Sequence, residues 1–190
     1  IMPFLFEKIS DYTELLIPDD LLSKSSIIAK IKNIMTKDNC QNVEVIGWLY
    51  QFYISEKKDE VFLNLKKNKK IAPENIPAAT QLFTPNWIVK YLVENSLGHL
   101  WMLNNPNSDL INSMEYYVPP KDDDNDFIKI NSPEEIRICD PACGSGHMLT
   151  YAFDLLYLIY EEEGYDYESI PALILKNNIF GIEIDKRAGA

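Results

Sequence analysis

A glycine-rich turn between a predicted strand and a predicted helix constrains the fold of this chain more than any other feature. The short apolar segment 136–139 is typical of a strand and runs directly into Asp140-Pro-Ala-Cys-Gly-Ser-Gly146. Helical spacing follows over residues 147–163, a second helix opens at Pro171, and 179–185 has the pattern of another strand. Strand, helix, helix and strand in this order predict the opening of a doubly wound α/β sheet.

The glycines let the backbone of the turn approach a ligand closely, and two kinds of ligand compete for it. A dinucleotide fold uses the pattern G-x-G-x-x-G, which places a pyrophosphate on the helix N-terminus. Counted from Gly144 and Gly146, the third glycine position holds Leu149, which we expect to keep the helix away from the strand. No Gly-Lys-Ser/Thr follows, so a phosphate-binding P-loop is excluded as well. An NAD-dependent oxidoreductase is therefore disfavoured.

A ligand with a cationic amino group and no phosphate suits this turn better. Asp140 can pair with an ammonium group, and bare glycine backbone can lie against adenosine and methionine atoms. An acidic residue at the end of the next strand would accept hydrogen bonds from a ribose diol. Glu183 and Asp185 are two residues apart, so on a strand both face the same side, and we favour Glu183. The alternatives are a helix-capping role for Asp140 and a surface role for Glu183.

A second segment, Thr80-Gln-Leu-Phe-Thr-Pro85, precedes a predicted amphipathic helix. Thr84 is expected to cap this helix, because its hydroxyl can accept a hydrogen bond from an amide of the first turn. Pro85 suits the first helical position, where no amide donor is needed. Gly98 is expected to end the helix.

The first part of the chain is predicted to be helical. Apolar residues recur at helical spacing over 18–37, where Asp19 and Asp20 are candidate caps, and again over 43–56. The segment 71–79 contains two prolines and is predicted to be extended. We expect residues 1–72 to form a helical N-terminal domain that packs or binds partners and carries no chemistry.

The remaining residues, 73–190, are predicted to be the first part of an α/β domain. They include a polar surface connection at about 104–134 with the acidic run Asp122-Asp-Asp124. A solvated loop is the preferred interpretation of that run, rather than a metal site.

Composition limits the classes of partner. The 190 residues carry a net charge of −11, and the short basic run Lys66-Lys-Asn-Lys-Lys70 is a poor surface for duplex DNA. Three cysteines and two histidines lack the paired spacing of a zinc site, so no metal is predicted. Neither a secretory signal nor an apolar run of about 18 residues is present, which favours a cytoplasmic protein without a membrane partner. The start at Ile1 and the absence of a stop signal after Asp185 suggest a piece of a longer protein.

Three motifs now give a resemblance to a known family. Asp140-Pro-Ala-Cys-Gly-Ser-Gly146 resembles motif I of the N6-adenine DNA methyltransferases, Gly181-Ile-Glu-Ile-Asp185 resembles motif II, and Thr80-Gln-Leu-Phe-Thr-Pro85 resembles motif X. With residues 47–61 and 78–103, the similarity points to the large methyltransferases of bacterial BREX phage-defence systems (PglX type). Type IIG restriction-modification methyltransferases share these motifs and are the nearest competing assignment.

The resemblance implies a class I, Rossmann-like methyltransferase fold, incomplete in this chain, with S-adenosylmethionine as the cofactor. It implies that Asp140 and Ala142 contact the methionine part, that Thr84 and Pro85 close over its carboxylate end, and that Glu183 holds the ribose. The residues so assigned to cofactor binding are Thr84, Pro85, Asp140, Pro141, Ala142, Cys143, Gly144, Ser145, Gly146, Glu183 and Asp185. No metal is implied, and no nucleophilic role for Cys143.

The family's catalytic motif IV, Asn-Pro-Pro-Tyr/Phe, does not occur in this sequence, and Asn105-Pro-Asn107 is no substitute because it lacks the second proline and the aromatic residue. The chain is therefore expected to bind the methyl donor but not to methylate by itself. DNA, bound mainly by regions outside this chain, and other defence-system proteins are the implied partners. Two other functions stay open: a methyltransferase acting on protein or RNA, and a non-catalytic interaction module.

Overall fold

The computed structural model describes residues 12–40, 44–120, 126–185 and 188–189. Eight α-helices and one two-stranded sheet make up most of the regular structure of these residues, and short 3₁₀ turns connect them. The elements are α1 (Ile27–Ile34), α2 (Glu44–Tyr53), α3 (Ser55–Lys66), α4 (Ile76–Thr80), α5 (Asn86–Val93), α6 (His99–Asn104), β1 (Ile138–Asp140), α7 (His147–Glu162), α8 (Ile170–Asn177) and β2 (Ile179–Gly181).

The second half of the chain has the predicted order of strand, helix, helix and strand. Strands β1 and β2 are parallel, with Ile138 opposite Ile179 and Asp140 opposite Gly181. Helices α7 and α8 form the connection between them and pack on each other. The prediction of an α/β arrangement is confirmed to this extent, although both strands are only three residues long and β2 ends before Asp185.

The core lies where α5, α6, α7 and α8 meet, and a buried polar side chain fastens it to the sheet. Asn178 is fully buried between α8 and β2. Its amide donates to the carbonyl oxygens of Pro133 and Ile136 at 2.7 and 2.8 Å, and its Oδ1 accepts from the Tyr160 hydroxyl at 2.9 Å. Because each buried polar group has a partner, this network fixes the entry to β1 relative to α7.

The N-terminal part departs from the prediction in detail. Helix α1 begins at Ile27 and not near Pro18, because Ser26 caps it by accepting a hydrogen bond from the Ala29 amide at 3.1 Å. Asp19 and Asp20 therefore do not cap this helix. The segment 71–79 is not extended: a 3₁₀ turn is followed by α4, whose early proline suits a helical first turn. The division at residue 72 stays a prediction.

The helix after the Thr80–Pro85 segment also starts and ends differently. Pro85 is the residue that flanks α5. Thr84 does not cap the helix, because the amide of Asn86 donates instead to a Glu44 carboxylate oxygen at 2.9 Å. Gly98 does not end the helix, which continues through a π-helical turn into α6. At Gly98 the chain instead makes a close approach: a Cβ there would collide with the Met114 sulfur.

The connection between α6 and β1 is largely irregular, but it does not lie wholly at the surface as expected, because Leu110 and Met114 are buried in the core. It is fastened at several points, for example by the Ser108 hydroxyl, which donates to the Glu162 carboxylate at 2.5 Å. The acidic run at 122–124 lies outside the described residues.

Candidate ligand-binding site

The glycine-rich turn between β1 and α7 is held against the end of β2 by backbone hydrogen bonds. The Ile182 amide donates to the Asp140 carbonyl at 2.9 Å, and the Cys143 amide donates to the Ile182 carbonyl at 3.1 Å. Gly144 and Gly146 have φ angles of +55° and +79°, which side chains with a Cβ rarely adopt. The turn therefore needs glycine at these two positions and places bare backbone beside the first residues of α7.

Two carboxylates converge on this turn. Asp140 Oδ1 accepts a hydrogen bond from the Ala142 amide at 3.0 Å. Glu183 Oε2 accepts one from the Gly144 amide at 2.7 Å, across 39 residues of sequence. Glu183 Oε1 also accepts from the amides of the two residues that follow it, at 2.8 and 2.9 Å. The structure thus brings together two of the three acidic residues that were singled out from sequence, Asp140 and Glu183.

Asp185 lies in a different place. It is only 6% exposed, and the Tyr50 hydroxyl donates a hydrogen bond to its Oδ2. Glu183 and Asp185 would share a face only on a strand that runs through both residues, but β2 ends at Gly181, so strand alternation does not apply there. Asp185 lines a neighbouring cavity with Tyr50 and not the one that contains Asp140.

A cavity of about 340 Å³ opens over the turn. The sequence-predicted residues that line it are Thr84, Asp140, Pro141, Ala142, Cys143, Gly144, Ser145 and Glu183. Gly146 lines an adjoining cavity of about 360 Å³ on the other side of Gln81 and Phe83, whereas Pro85 lines neither.

Sequence reasoning missed several lining residues, including Gln81, Phe83, His147 and Met148. A signal for three of them was present, since Gln81 and Phe83 lie within the Thr80–Pro85 segment and His147 directly follows the glycine-rich turn. The rings of Phe83 and His147 pack at a centroid distance of 4.7 Å. His147 Nε2 is buried and has no hydrogen-bond partner among the residues that the structure describes. Burial lowers the pKa of the imidazole, which is therefore neutral at pH 7.

Cys143 packs inside the turn. Burial raises the pKa of its thiol, and the nearby carboxylates of Asp140 and Glu183 raise it further. Because the thiolate is the nucleophilic form, a raised pKa keeps this cysteine unreactive at neutral pH. Its sulfur lies beside Gly181, where an added Cβ would approach it to 2.9 Å.

The charged side chains that the structure describes around the 340 Å³ cavity are acidic. Among the described residues that line it there are two carboxylates and neither Lys nor Arg. Such a set can pair with a cationic amine and accept hydrogen bonds from hydroxyl groups, but a pyrophosphate would meet repulsion.

Leu149 does not act as the sequence suggested. We expected it to hold the helix away from the sheet, but its Cδ1 lies 3.0 Å from the position of a Cβ on Gly181. The leucine packs over a strand residue that has no side chain, so α7 reaches the sheet closely. Helix spacing therefore does not exclude a dinucleotide, whereas the carboxylates that line the cavity disfavour one.

The described part of the chain contains neither a membrane span nor a cluster of metal ligands. Among the described residues no helix combines the length and apolar composition of a membrane span. In the same part of the chain, no group of three or more His, Cys, Asp or Glu side chains is arranged to hold a metal ion.

Comparison with known proteins gives close relatives. The chain is 51% identical, over 98% of its length, to the adenine-specific methyltransferase BrxX of Escherichia coli. It is 40% identical over the same share to the adenine-specific methyltransferase PglX of Lacticaseibacillus casei. A more distant match, 26% identical over 86% of the chain, is named as a type II restriction enzyme and methyltransferase of Methanocaldococcus jannaschii.

No protein-family model matches the chain. The chain spans about a sixth of the length of the curated relatives it matches. Identity of 40–51% over nearly all of the chain nevertheless establishes common ancestry with that portion of the relatives. The chain is therefore homologous to one part of the adenine-specific methyltransferases named BrxX and PglX.

Proposed function

We propose that this chain forms the S-adenosylmethionine-binding part of a site-specific DNA adenine-N6 methyltransferase that acts in phage defence. The observation that carries the proposal is the convergence of the Asp140 and Glu183 carboxylates on the glycine-rich turn, inside one cavity. The names of the two relatives support adenine methylation as the chemistry.

The fit to S-adenosylmethionine follows from the groups present. Asp140 can pair with the cationic amino group, and the backbone of Ala142 and Gly144 can lie against the methionine part. Glu183 can accept hydrogen bonds from the ribose hydroxyls by exchanging its contact with the Gly144 amide. Thr84 would border the carboxylate end. A cavity of about 340 Å³ is in the size range of sites for small molecules.

When bound, S-adenosylmethionine supplies an electrophilic methyl group on a sulfonium. The residues of this chain contribute binding and orientation, which place the donor for transfer to an amine. The neutral rings of Phe83 and His147 shield one side of the cavity and add no competing charge. The sequence contains no Asn-Pro-Pro-Tyr/Phe motif, so we expect no methylation by the chain alone.

For the fold we propose the first part of a class I, Rossmann-like methyltransferase domain over residues 73–190, preceded by a helical domain over 1–72. The parallel β1–α7–α8–β2 unit supports this assignment, with the ligand at the carboxyl ends of the strands. DNA would be held mainly outside this chain, because the charge of −11 opposes binding to phosphates.

Calorimetric titration of the full-length protein with S-adenosylmethionine tests the proposal. We expect a Kd below about 1 mM for the wild type, equivalent to more than roughly 4 kcal/mol, and no heat with NAD. Asp140→Asn keeps an acceptor for the Ala142 amide but removes the charge, and should weaken binding by about tenfold or more. Asp166→Asn, at an exposed position between α7 and α8, is the matched control.

Two results would contradict the proposal. One is a full-length wild type that binds no S-adenosylmethionine. The other is an Asp140→Asn variant that binds as tightly as Asp166→Asn, which would place the ligand away from this turn.

A further inference from the structure

The segment between α4 and α5, residues 81–85, has no regular secondary structure, and its residues 81–84 line the cavity. Side chains of α2 and α3 form hydrogen bonds with the backbone of this segment. The Phe83 amide donates to Gln51 Oε1 at 3.0 Å, and the Lys58 ammonium donates to the Gln81 carbonyl at 2.8 Å. Both bonds are partly buried, so they are less screened by water than surface contacts are.

These two bonds fix backbone atoms of the residues that separate the two cavities beside the glycine-rich turn. Gln81 and Phe83 line both the 340 Å³ cavity and the adjoining 360 Å³ cavity. A shift of their backbone would therefore change the shape of both cavities at once.

Helix α2 also approaches the site directly. Gly47 and Tyr50 line the 360 Å³ cavity together with residues 144–146 of the turn. Gly47 is buried against the Phe83 ring so closely that any Cβ at this position would collide with the ring. The Phe83 ring in turn packs on His147, so α2, Phe83 and the first residue of α7 form one continuous stack.

We infer that α2 and α3 belong to the S-adenosylmethionine site, with Gln51 and Lys58 as positioning residues that hold the backbone of residues 81–83 against the glycine-rich turn. The inference rests on the proposed function for the identity of the ligand. It replaces the expectation that the N-terminal helices only pack or bind partners.

Adjacent lysines on α3 provide a matched pair for the test. Lys58 reaches the Gln81 carbonyl, whereas Lys57 pairs with Glu60 at the surface, where the two side chains are 50% and 60% exposed. In the full-length protein, Lys58→Met and Gln51→Ala should each raise the Kd for S-adenosylmethionine roughly 5- to 10-fold, as loss of one partly buried hydrogen bond does. Lys57→Met should leave the Kd unchanged.

Two further measurements distinguish positioning from general stability. Gln51→Glu keeps the acceptor for the Phe83 amide and should restore the Kd to within about twofold of the wild type. In the protein without ligand, Gln51→Ala should speed hydrogen exchange of the Phe83 amide, while the thermal midpoint of unfolding stays close to that of Lys57→Met.

The outcomes separate the two claims. Wild-type binding with equal Kd values for Lys58→Met and Lys57→Met would overturn the inference and leave the proposed function intact. A fall in thermal midpoint with no change in Kd would assign Gln51 and Lys58 a purely structural role and would also overturn it. If the wild type bound no S-adenosylmethionine, the proposed function would fail, and this inference with it.

Discussion

Removing the Asn178 side chain should destabilise the fold more than any change of an exposed asparagine. Asn178→Ala leaves two backbone carbonyl oxygens and the Tyr160 hydroxyl without their buried partner. Each buried polar group left unpaired costs about 1–3 kcal/mol, and partial relaxation lowers the sum, so we expect a loss of roughly 3–5 kcal/mol in the free energy of unfolding. Urea denaturation of the 190-residue chain, followed by circular dichroism, measures this loss.

A variant of nearly the same size separates the effect of lost hydrogen bonds from that of lost volume, and a surface variant serves as the control. Asn178→Asp has nearly the same size and keeps the acceptor for Tyr160, but it turns a carboxylate oxygen toward the carbonyls of Pro133 and Ile136. It should therefore be at least as damaging as alanine. Asn112→Ala, in an exposed turn, is the control and should change stability by less than about 0.5 kcal/mol. A loss below about 1 kcal/mol for both Asn178 variants would refute the reasoning.

Two more changes test the packing around the glycine-rich turn. Gly181→Ala places a Cβ 2.9 Å from the Cys143 sulfur and 3.0 Å from Leu149 Cδ1, so we expect about 1–3 kcal/mol of destabilisation. The thermal midpoint of unfolding measures this loss, and an unchanged midpoint would contradict the contact. Burial lowers the pKa of His147 from 6.5, so the unfolded chain binds a proton at this residue more readily than the folded chain does. The free energy of unfolding therefore decreases as pH falls through about 6.5 toward the lower pKa of the folded state. His147→Phe should flatten this pH dependence of the urea midpoint, and an equal slope in both proteins would exclude His147 as its source.

Elements determined by local sequence were predicted well. The glycine-rich turn and helix α7 depend on apolar spacing and on glycines that adopt positive φ, and these signals lie within a few residues of one another. The parallel pairing of β1 with β2 joins residues that are far apart in the sequence, and it followed from the order of strand, helix, helix and strand. The approach of Asp140 and Glu183 to the same turn agrees with the rule that the carboxyl ends of neighbouring parallel strands meet at one edge of a sheet.

Features that depend on distant partners were predicted wrongly or not at all. Thr84 has the residue type of a helix cap, but Glu44 takes the amide of Asn86 from 42 residues away. Nothing in the sequence near Thr84 signals that competitor. In sequence, Asp185 stands two residues after Glu183, as strand alternation would require, but the backbone there is not a strand. Its hydrogen-bond partner, Tyr50, lies 135 residues earlier. Local propensity is a weak guide wherever a tertiary contact satisfies the same donor.

The contact between Leu149 and Gly181 shows why the residue at a single motif position is a weak criterion for the kind of ligand bound. The third glycine of a dinucleotide motif serves to bring a helix close to a strand. Close approach needs one small residue at the contact, and either side can supply it. Here the helix carries the leucine, and the strand carries the glycine beneath it. A leucine at the helix position therefore excludes neither close packing nor any particular ligand. The charges that face the cavity are a better guide: the described residues that line it include two carboxylates and neither Lys nor Arg, a set that favours a cationic ligand over a pyrophosphate.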